Sequence, residues 1–452
     1  MAQIVFLTLF LGLTLGPQPI ELTVTGPVAA VELLLDGAPA GRMAGPPWKG
    51  EIDVGPSLVP HELVARGLDD QGAEIARTRQ WLNLPRPPAE VDILLENGAS
   101  GRPVAARLTW QSLTGESPSA TRVTFDDKPL AVNPEERIQL PAWDPATSHV
   151  LTAELRFSGA LTARRDVVFG GRWGEEVSTE LTAVAVRLRP GKTLPPPERM
   201  EGWFRVAGRP IAAAAVEEGP AELLVIRDLG ARKELERMVS AGSLSRPTSF
   251  QSQAPRGAAT TSSGYRRSEL TLEEGDAVRL VWPVEMESTR GAALPAELFD
   301  VSRAFEARDG GLLWFLALSL PRSDLPSQQR LADAAAVAGL QALYANRRRA
   351  VLLVLSEQPL DASRSNPALV RAYLDAIRVP LVVWALGNPA APAVSAWGGG
   401  AKKVHPIGRM RKAFAELKNG LTSQRIVWVE GRHLPQSIEL SAEAAAVVEL
   451  AR

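Results

Sequence analysis

With 452 residues, 45% of them hydrophobic and 22% charged, the chain has a globular composition and is too long for one hydrophobic core. Fifty Lys and Arg residues nearly balance 51 Asp and Glu residues, which argues against nucleic acid as a partner. The absence of Cys excludes disulfides, thiolate catalysis and metal sites with Cys ligands.

An apolar segment lies near the start of the chain, from Ile4 to Leu15, and Gly16-Pro17-Gln18-Pro19 follows it. This order is typical of a secretory signal peptide, whereas a membrane span needs about 20 apolar residues. A buried first strand is the alternative interpretation. We predict a signal peptide over residues 1–18, an exported protein (periplasmic or secreted) and no stable membrane span.

The next two stretches, residues 19–85 and 86–170, are each predicted to form an antiparallel β-sandwich. Apolar and polar residues alternate there, with turn residues about every eight to twelve positions. Val31–Leu35 leads into Asp36-Gly37, which is a strong hairpin signal. The prolines Pro85, Pro87 and Pro88 mark a linker between the two stretches.

The two stretches also share a motif. His61-Glu-Leu-Val-Ala65 in the first matches His149-Val-Leu-Thr-Ala153 in the second, and Asp36 has its counterpart in Asp126. We therefore predict two copies of one module. On these residues the copies resemble the immunoglobulin-like modules of bacterial secreted proteins, and a histidine at the same place of a repeated strand is expected to be structural.

The remainder changes character. Residues 171–219 are predicted to form a β-rich connector that packs on the second sandwich. From residue 220 onward, apolar strands alternate with helices, which indicates a doubly wound α/β sheet with one antiparallel strand. A long exposed loop is expected at Ser243–Ser268. Strands are predicted at Glu222–Ile226, Ala277–Trp282, Leu312–Leu318, Ala350–Leu355, Pro380–Leu386 and Arg425–Val429, and helices at Ala231–Val239, Gln328–Ala345, Pro367–Arg378, Arg409–Lys418 and Ser441–Ala451.

Three stretches within residues 220–452 resemble the von Willebrand factor type A family. They are Arg330-Leu-Ala-Asp333-Ala334, the basic and then apolar run from Arg347 to Ser356, and Arg378-Val-Pro-Leu-Val-Val-Trp384. The resemblance implies a Rossmann-like domain whose functional centre is a divalent cation above the carboxyl edge of the sheet. The family holds that cation with Asp-x-Ser-x-Ser, a Thr and an Asp.

This chain departs from the family at each ligand position. Asp228 remains, but Gly230 and Arg232 replace the two hydroxyl residues. Gln329 stands about where the family has Thr, and Ser356-Glu357 replaces the second Asp. Because Mg²⁺ requires oxygen ligands, we predict a degenerate site that binds no metal, and we expect no cofactor.

Asp361-Ala-Ser363-Arg-Ser365 spells Asp-x-Ser-x-Ser, but it lies beyond the strand that should present it. Ser365-Asn366-Pro367 is typical of a helix start, with a capping side chain and then Pro at the first helical position. We predict a capped helix here, and a displaced cation site is the alternative.

Motifs for catalysis are missing from the sequence. It contains no nucleophile elbow, zinc-protease motif, phosphate-binding loop or dinucleotide fingerprint. We therefore expect no enzyme activity. The alternative is a hydrolase whose acid and base come from Glu357, Glu430 and His433, because ligands of α/β sheets bind at the carboxyl edge.

These observations favour a binding protein, whose partner is another protein or a cell-surface polymer. A structural subunit of an envelope assembly is a further hypothesis. The predicted contact surface consists of the loops at the upper edge of the sheet, with Asp228, Gly230, Arg232, Gln329, Ser356, Glu357, Asp361 and Ser363.

Overall fold

The structure is a computed structural model that describes residues 2–10, 12–85, 89–98, 102–112, 117–126, 128–133, 137–157, 162–170, 177–178, 181–241, 270–285, 299–302, 304–306, 311–318, 328–344 and 346–452. The predicted loop Ser243–Ser268 and the linker residues Pro87 and Pro88 therefore lie outside the described residues. Among the described residues, 44% lie in strands and 20% in helices. None of the described helices has the length and apolar character required to cross a membrane.

The chain divides into two compact units. The first consists of Met1–Pro85, Ala183–Trp428 and Leu434–Arg452, and the second of Arg86–Thr182 and Val429–His433. The first unit therefore combines the N-terminal sandwich with the helix-containing part of the chain.

The N-terminal part of the first unit is an antiparallel β-sandwich. One sheet has the strand order β1-β2-β5 and the other β4-β3-β6-β7. Alternating apolar side chains of the two sheets enclose one core. The strands are β1 Gln3–Phe6, β2 Pro17–Thr25, β3 Ala30–Leu35, β4 Ala38–Met43, β5 Lys49–Asp53, β6 His61–Leu68 and β7 Glu74–Leu82.

The apolar N-terminal segment lies in this core. Strand β1 pairs with β2, and Ile4, Phe6 and Phe10 are buried between the sheets. The Thr14 amide donates to Asn83 Oδ1 over 2.7 Å, which fastens the end of the segment to the last turn of the sandwich. This arrangement is the one expected of a buried first strand. Export of the protein stays a prediction.

The second unit is also an antiparallel sandwich, with sheets β12-β9-β8 and β11-β10-β13-β14-β15. Its core is separate and contains Phe125, Leu151 and Phe169. The strands are β8 Ala89–Asn97, β9 Pro103–Ser112, β10 Ala120–Phe125, β11 Lys128–Leu130, β12 Arg137–Gln139, β13 Ser148–Arg156, β14 Thr162–Gly170 and β15 Val177–Ser178.

The predicted repeat has the same local geometry in both sandwiches. His61 Nδ1 lies 2.6 Å from Asp36 Oδ2, and the Glu62 amide donates to Asp36 Oδ1 over 2.8 Å. His149 Nδ1 lies 2.6 Å from Asp126 Oδ2, and the Val150 amide donates to Asp126 Oδ1 over 2.9 Å. The structural role predicted for both histidines is confirmed, because each fixes the hairpin of its own module.

The segment after the second sandwich forms β16 Leu181–Leu188, β17 Phe204–Val206, β18 Arg209–Ile211 and β19 Ala213–Glu217. From Ala183 onward it belongs to the first unit. Its strands pair with strands near the C-terminus, which the short β segments did not reveal.

A mixed sheet covered by helices follows, with the strand order β22-β21-β20-β24-β25-β26. Strands β20, β21, β24, β25 and β26 are parallel, whereas β22 and β23 are antiparallel to β21. The elements are β20 Ala221–Arg227, α1 Arg232–Ala241, β21 Ala277–Glu285, β22 Phe299–Val301, β23 Phe305–Glu306, α2 Gly311–Leu318, α3 Leu331–Tyr344, β24 Arg348–Leu355, α4 Pro367–Ala376, β25 Leu381–Ala385, α5 Pro392–Ser395, β26 Lys402–Lys403 and α6 Ile407–Thr422.

Both faces of this sheet are buried by helices. Leu223 and Val225 of β20 point into a core shared with α1, α2 and α6, and Leu224 and Ile226 point into a core shared with α3 and α4. Strand β24 is buried along its whole length, because neighbouring strands and helices surround it. This double burial explains its unbroken apolar sequence.

Two predicted elements have the wrong type or extent, and one correctly predicted strand belongs to a different sheet. Leu312–Leu318 is helix α2, because an apolar run suits a buried helix as well as a strand, and the antiparallel edge strand is instead Phe299–Val301. Arg425–Val429 lies in β27 Gln424–Glu430, which belongs to a different sheet, β19-β27-β16-β29. The predicted last helix is the single turn α7 Ala442–Ala445, between β28 Ile438–Leu440 and β29 Val448–Leu450.

Replacing Phe6 by Ala is expected to lower the free energy of unfolding of the first unit by about 3–5 kcal/mol, because Phe6 is buried between two sheets. Urea unfolding of the full chain measures the change. Leu7→Ala is the matched control, since Leu7 is 54% exposed in the same segment. Equal stability of the two variants would show that the segment is not part of the folded core.

The second unit is expected to lose stability as the pH rises. Burial lowers the pKa of His149, but its hydrogen bond with Asp126 and the neighbouring acidic and carbonyl groups raise it more, so the pKa lies above 6.5. The stabilisation is complete below that unfolded-state value and is lost as the pH rises through the folded-state pKa. Urea unfolding at about pH 5.5 and about pH 9 measures the loss, which Asp126→Asn should reduce. An identical pH profile for that variant would contradict the assignment.

Candidate functional site

The carboxyl ends of three parallel strands meet at one edge of the helix-covered sheet. Asp228 follows β20, Ser356 follows β24 and Gly387 follows β25 by two residues. The register places Arg227 opposite Val354 and Leu355 opposite Ala385, so these strand ends are level. The loops that sequence analysis selected are therefore neighbours in space.

Asp228 is the centre of this edge, and its side chain is buried. Oδ1 accepts hydrogen bonds from the Gly230 amide at 2.9 Å and from Gln329 Nε2 at 2.6 Å. Oδ2 accepts from the Ser356 amide at 3.0 Å and from the Ser356 hydroxyl. Both carboxylate oxygens thus accept hydrogen bonds from protein donors, and these bonds offset the free energy lost when the charge is removed from water.

Gln329 uses its amide group to join three loops. Besides its bond to Asp228, Nε2 donates to the Leu360 carbonyl over 2.8 Å, and Oε1 accepts from the Leu229 amide over 2.9 Å. A Thr at this position could not make these three contacts, because it has a single short hydroxyl. Gln329 therefore stabilises the loop geometry directly.

The Asp361-x-Ser363 segment caps the start of helix α3. The Leu331 amide donates to Asp361 Oδ1 over 2.9 Å, and the Ala332 amide donates to Ser363 Oγ over 2.9 Å. These amides belong to the first turn, where helices leave N–H groups unsatisfied. The carboxylate thus meets the positive end of a helix and backbone donors, a setting that does not fit a cation.

The same loop is held from the other side by Asp333. Its carboxylate accepts from the Arg364 amide at 2.9 Å and from the Ser365 amide at 3.0 Å. Burial raises the pKa of Asp333, but the bonds from these two amides and from Arg330 outweigh it, so the pKa is below 3.8. The loop and α3 therefore cap each other.

The predicted helix start at Ser365-Asn366-Pro367 is confirmed. Asn366 is the N-cap of α4, and its Oδ1 accepts from the Leu369 amide over 2.8 Å. Pro367 is the first helical residue, as the sequence pattern indicated. One polar loop thus caps both α3 and α4.

Other predicted residues remain open to solvent. Glu357 is exposed, and its loop packs tightly on Gly387, where a Cβ atom would lie 2.6 Å from the Glu357 Cα. Arg232 does not reach Asp228 in any hydrogen bond; its Nε donates to Glu236 Oε1 over 2.8 Å along α1. Gly230 is exposed beside Ser356.

Sequence analysis missed His405 as a member of this edge. It follows the two-residue strand β26, and its Nε2 lies 3.2 Å from Glu234 in the first turn of α1. A two-residue strand has no hydrophobic pattern, so the sequence does not reveal it. The basic pair Lys402–Lys403 is the one local signal before His405.

The hydrolase hypothesis loses its geometric premise. Glu430 ends β27, which is not a strand of the helix-covered sheet, and His433 belongs to the second unit. His433 Nε2 lies 2.9 Å from the Glu430 carbonyl, so this histidine contacts backbone. Within the described part of the chain, no group of three or more His, Asp or Glu residues is arranged to hold a metal ion.

Comparison with known proteins identifies no family. No family model matches the chain, and no curated protein matches it. Three solved structures illustrate the structural matches. Fibronectin(III)-like modules of Clostridium thermocellum CbhA match with 12% identity and a TM-score of 0.16, over 37% of this chain and 93% of that chain.

The central fibronectin-III array of RIM-binding protein matches with 13% identity and a TM-score of 0.24, over 44% of this chain and 82% of that chain. A β-glucuronidase from glycoside hydrolase family 2 matches with 16% identity and a TM-score of 0.15, over 38% of this chain and 20% of that chain. Likenesses this distant carry no argument about activity.

Removing the cap of α3 is expected to destabilise the first unit. Asp361→Ala should cost about 1 kcal/mol of unfolding free energy, because the Leu331 amide loses its acceptor and the Ala332 amide loses one of two acceptors. Asp70→Ala is the control, since Asp70 lies exposed in a turn of the same unit. Urea unfolding compares the two, and equal midpoints would contradict the capping role.

Acid should weaken the same contact through Asp333. Because its folded-state pKa is lowered, its stabilisation is complete above the unfolded value of 3.8 and is lost as the pH falls through the folded value. Asp333→Asn should flatten this part of the stability profile when unfolding is followed between about pH 2 and about pH 6.

Proposed function

We propose that the chain is an extracytoplasmic binding protein and that its helix-covered sheet is a von Willebrand factor type A-like domain with a degenerate cation site. The strand order supports this proposal, because an antiparallel edge strand, β22, lies beside β21 and the other strands are parallel. Two β-sandwiches precede this domain in the chain.

The observation that carries the proposal is the closed hydrogen-bond set around Asp228. Four donors from three loops occupy the carboxylate that would otherwise hold a cation. The network fixes the loops without an ion, so recognition must use side chains that point outward. This favours a protein interface over an ion bridge.

Leu360 is the side chain best placed to contact such a partner. It is 76% exposed, the highest value among the exposed large hydrophobic side chains of the described residues. Its carbonyl is held by Gln329, so the loop is ordered before binding, and the exposed Glu357 precedes it by three residues. We propose a partner protein with an apolar pocket for Leu360 and a basic side chain for Glu357.

Export forms part of the proposal. N-terminal sequencing of the native protein, after separation of periplasm, medium and cytosol, tests it. Recovery from the periplasm or the medium supports export, and recovery from the cytosol with Met1 intact contradicts it. The Phe6 and Leu7 variants show in parallel whether the folded protein needs the apolar segment.

Replacing Leu360 by Asp is expected to weaken partner binding about 30-fold, because a central apolar anchor contributes roughly 2 kcal/mol. The partner is captured from native envelope extract by crosslinking to wild-type protein, purified, and titrated against each variant. Leu7→Asp is the control, with an exposed Leu in the first sandwich. Equal affinity of Leu360→Asp and wild type would overturn the proposed surface.

Gly387→Ala tests the same surface from below. The added Cβ meets the Glu357 backbone, so the loop must shift and affinity should fall, whereas Gly399→Ala has open space and should have no effect. Binding of a polysaccharide that Leu360→Asp abolishes, or measurable hydrolysis that Glu357→Ala abolishes, would contradict a protein-binding role for this surface.

A further inference from the structure

We infer that the first unit has an anion-binding cleft at the amino edge of the helix-covered sheet. This edge lies opposite the carboxyl edge, where the loops around Asp228 are found. Two cavities adjoin at the amino edge, of about 540 and about 250 Å³, and both are lined by Arg187 and Gly420. The walls come from the end of β16, the loop after it, the start of β25 and the last turns of α6.

The cleft has an excess of positive charge. Cationic side chains outnumber carboxylates by five to two, although the whole chain has a net charge of only -1. The charged lining consists of Arg187, Arg189, Lys192, Lys402 and Arg452 with Glu416 and Glu449.

Both carboxylates are already engaged. Glu449 Oε1 lies 3.3 Å from Arg187 Nη1, and Glu416 pairs with Lys402. Among the described residues, no carboxylate forms an ion pair with Arg189, Lys192 or Arg452. In the described part of the chain, three cations of the cleft are therefore outside any ion pair.

Arg187 and Arg189 are positioned for an oxyanion. The side chain of Arg187 is partly exposed, and its Nη1 lies 3.3 Å from Glu449 Oε1, which holds the guanidinium in place. The Nε of Arg189 donates to the Ala445 carbonyl over 2.7 Å, which holds the guanidinium in place. Planar guanidinium groups bind carboxylate and phosphate oxygens in pairs.

The loop that carries Lys192 is a tight turn. The Lys192 amide donates to the Arg189 carbonyl over 3.0 Å, and Gly191 has a φ of +71°, a value that favours glycine. The turn brings Lys192 back beside the two arginines, at an exposed position where its ammonium can meet a ligand.

The end of α6 does not cancel this field. Unpaired carbonyls at a helix C-terminus repel anions, but here protein donors satisfy them. The Ser423 amide donates to the Asn419 carbonyl over 3.0 Å, and Arg348 Nη1 donates to the Leu421 carbonyl over 3.0 Å. Arg348 Nη2 also lies 3.6 Å from Asp276 Oδ1, so its charge is paired within the protein.

The lining restricts the class of ligand. No aromatic side chain is found among the described residues that line either cavity, so the contacts on offer are mainly those of charged and polar groups. The larger volume suits a small molecule or one to two sugar units. The cleft fits a non-aromatic ligand with at least two oxyanion charges, either free or as part of an anionic polysaccharide.

Calorimetric titration of the full chain with pyrophosphate, citrate and polygalacturonate tests this inference. We expect saturable binding at low ionic strength that weakens as salt is added. Tighter binding of polygalacturonate identifies the polymer as the source of the anion, and tighter binding of pyrophosphate or citrate identifies a free ligand. The absence of binding by all three probes would overturn the inference.

Lys192→Gln and the double variant Lys192→Gln with Arg189→Gln should weaken binding by about tenfold and about a hundredfold. Arg209→Gln, an exposed arginine outside the cleft, is the control and should bind like wild type. Urea unfolding verifies that each variant folds. Leu360→Asp should retain anion binding, because Leu360 lies outside the cleft. The absence of anion binding would therefore contradict the cleft and leave the proposed protein interface untouched. Unchanged affinity in the double variant would contradict the site.

Discussion

The burial of one carboxylate, Asp228, determines the arrangement of the whole upper edge. A buried charge without partners costs several kcal/mol, so the surrounding loops must supply donors. Gly230, Gln329 and Ser356 supply them from three separate parts of the chain. Because Gln329 also holds the Leu360 carbonyl, the position of the exposed loop depends on the buried charge.

The two edges of the sheet differ in chemistry. At the carboxyl edge, acidic side chains are neutralised by backbone amides, and an apolar side chain remains exposed. At the amino edge, basic side chains outnumber acidic side chains among the described residues that line a cleft. On the two proposals made above, one edge of the sheet contacts a protein and the opposite edge binds an anion.

Local patterns predicted much of this structure. The Asp36 and Asp126 hairpins, the two sandwiches, α3, α4, β20, β24 and β25 follow from periodicity, turn residues and caps, all of which act over a few residues. Leu312–Leu318 was mistaken for a strand because its environment, not its sequence, makes it a helix. The partners of β27 could not be foreseen, because pairing with β16 and β19 depends on distant segments.

The sequence predicted where the site residues lie, but it did not predict the hydrogen bonds between them. Asp228, Ser356 and Gln329 could be placed at one edge from strand order, whereas the mutual capping of Asp333 and Asp361 required coordinates. The Arg187 cleft left no motif at all, since its residues are widely separated in the chain.

The pairing of β16 with β29, in which Val186 lies opposite Leu450, has a consequence for biosynthesis. The second unit can collapse on the ribosome once residues 86–182 have emerged, apart from the short segment 429–433. The sheet that contains β16 must wait until residues 448–450 are translated. Its edge stays open during that interval, and an unpaired strand edge is a site where chains can pair with one another.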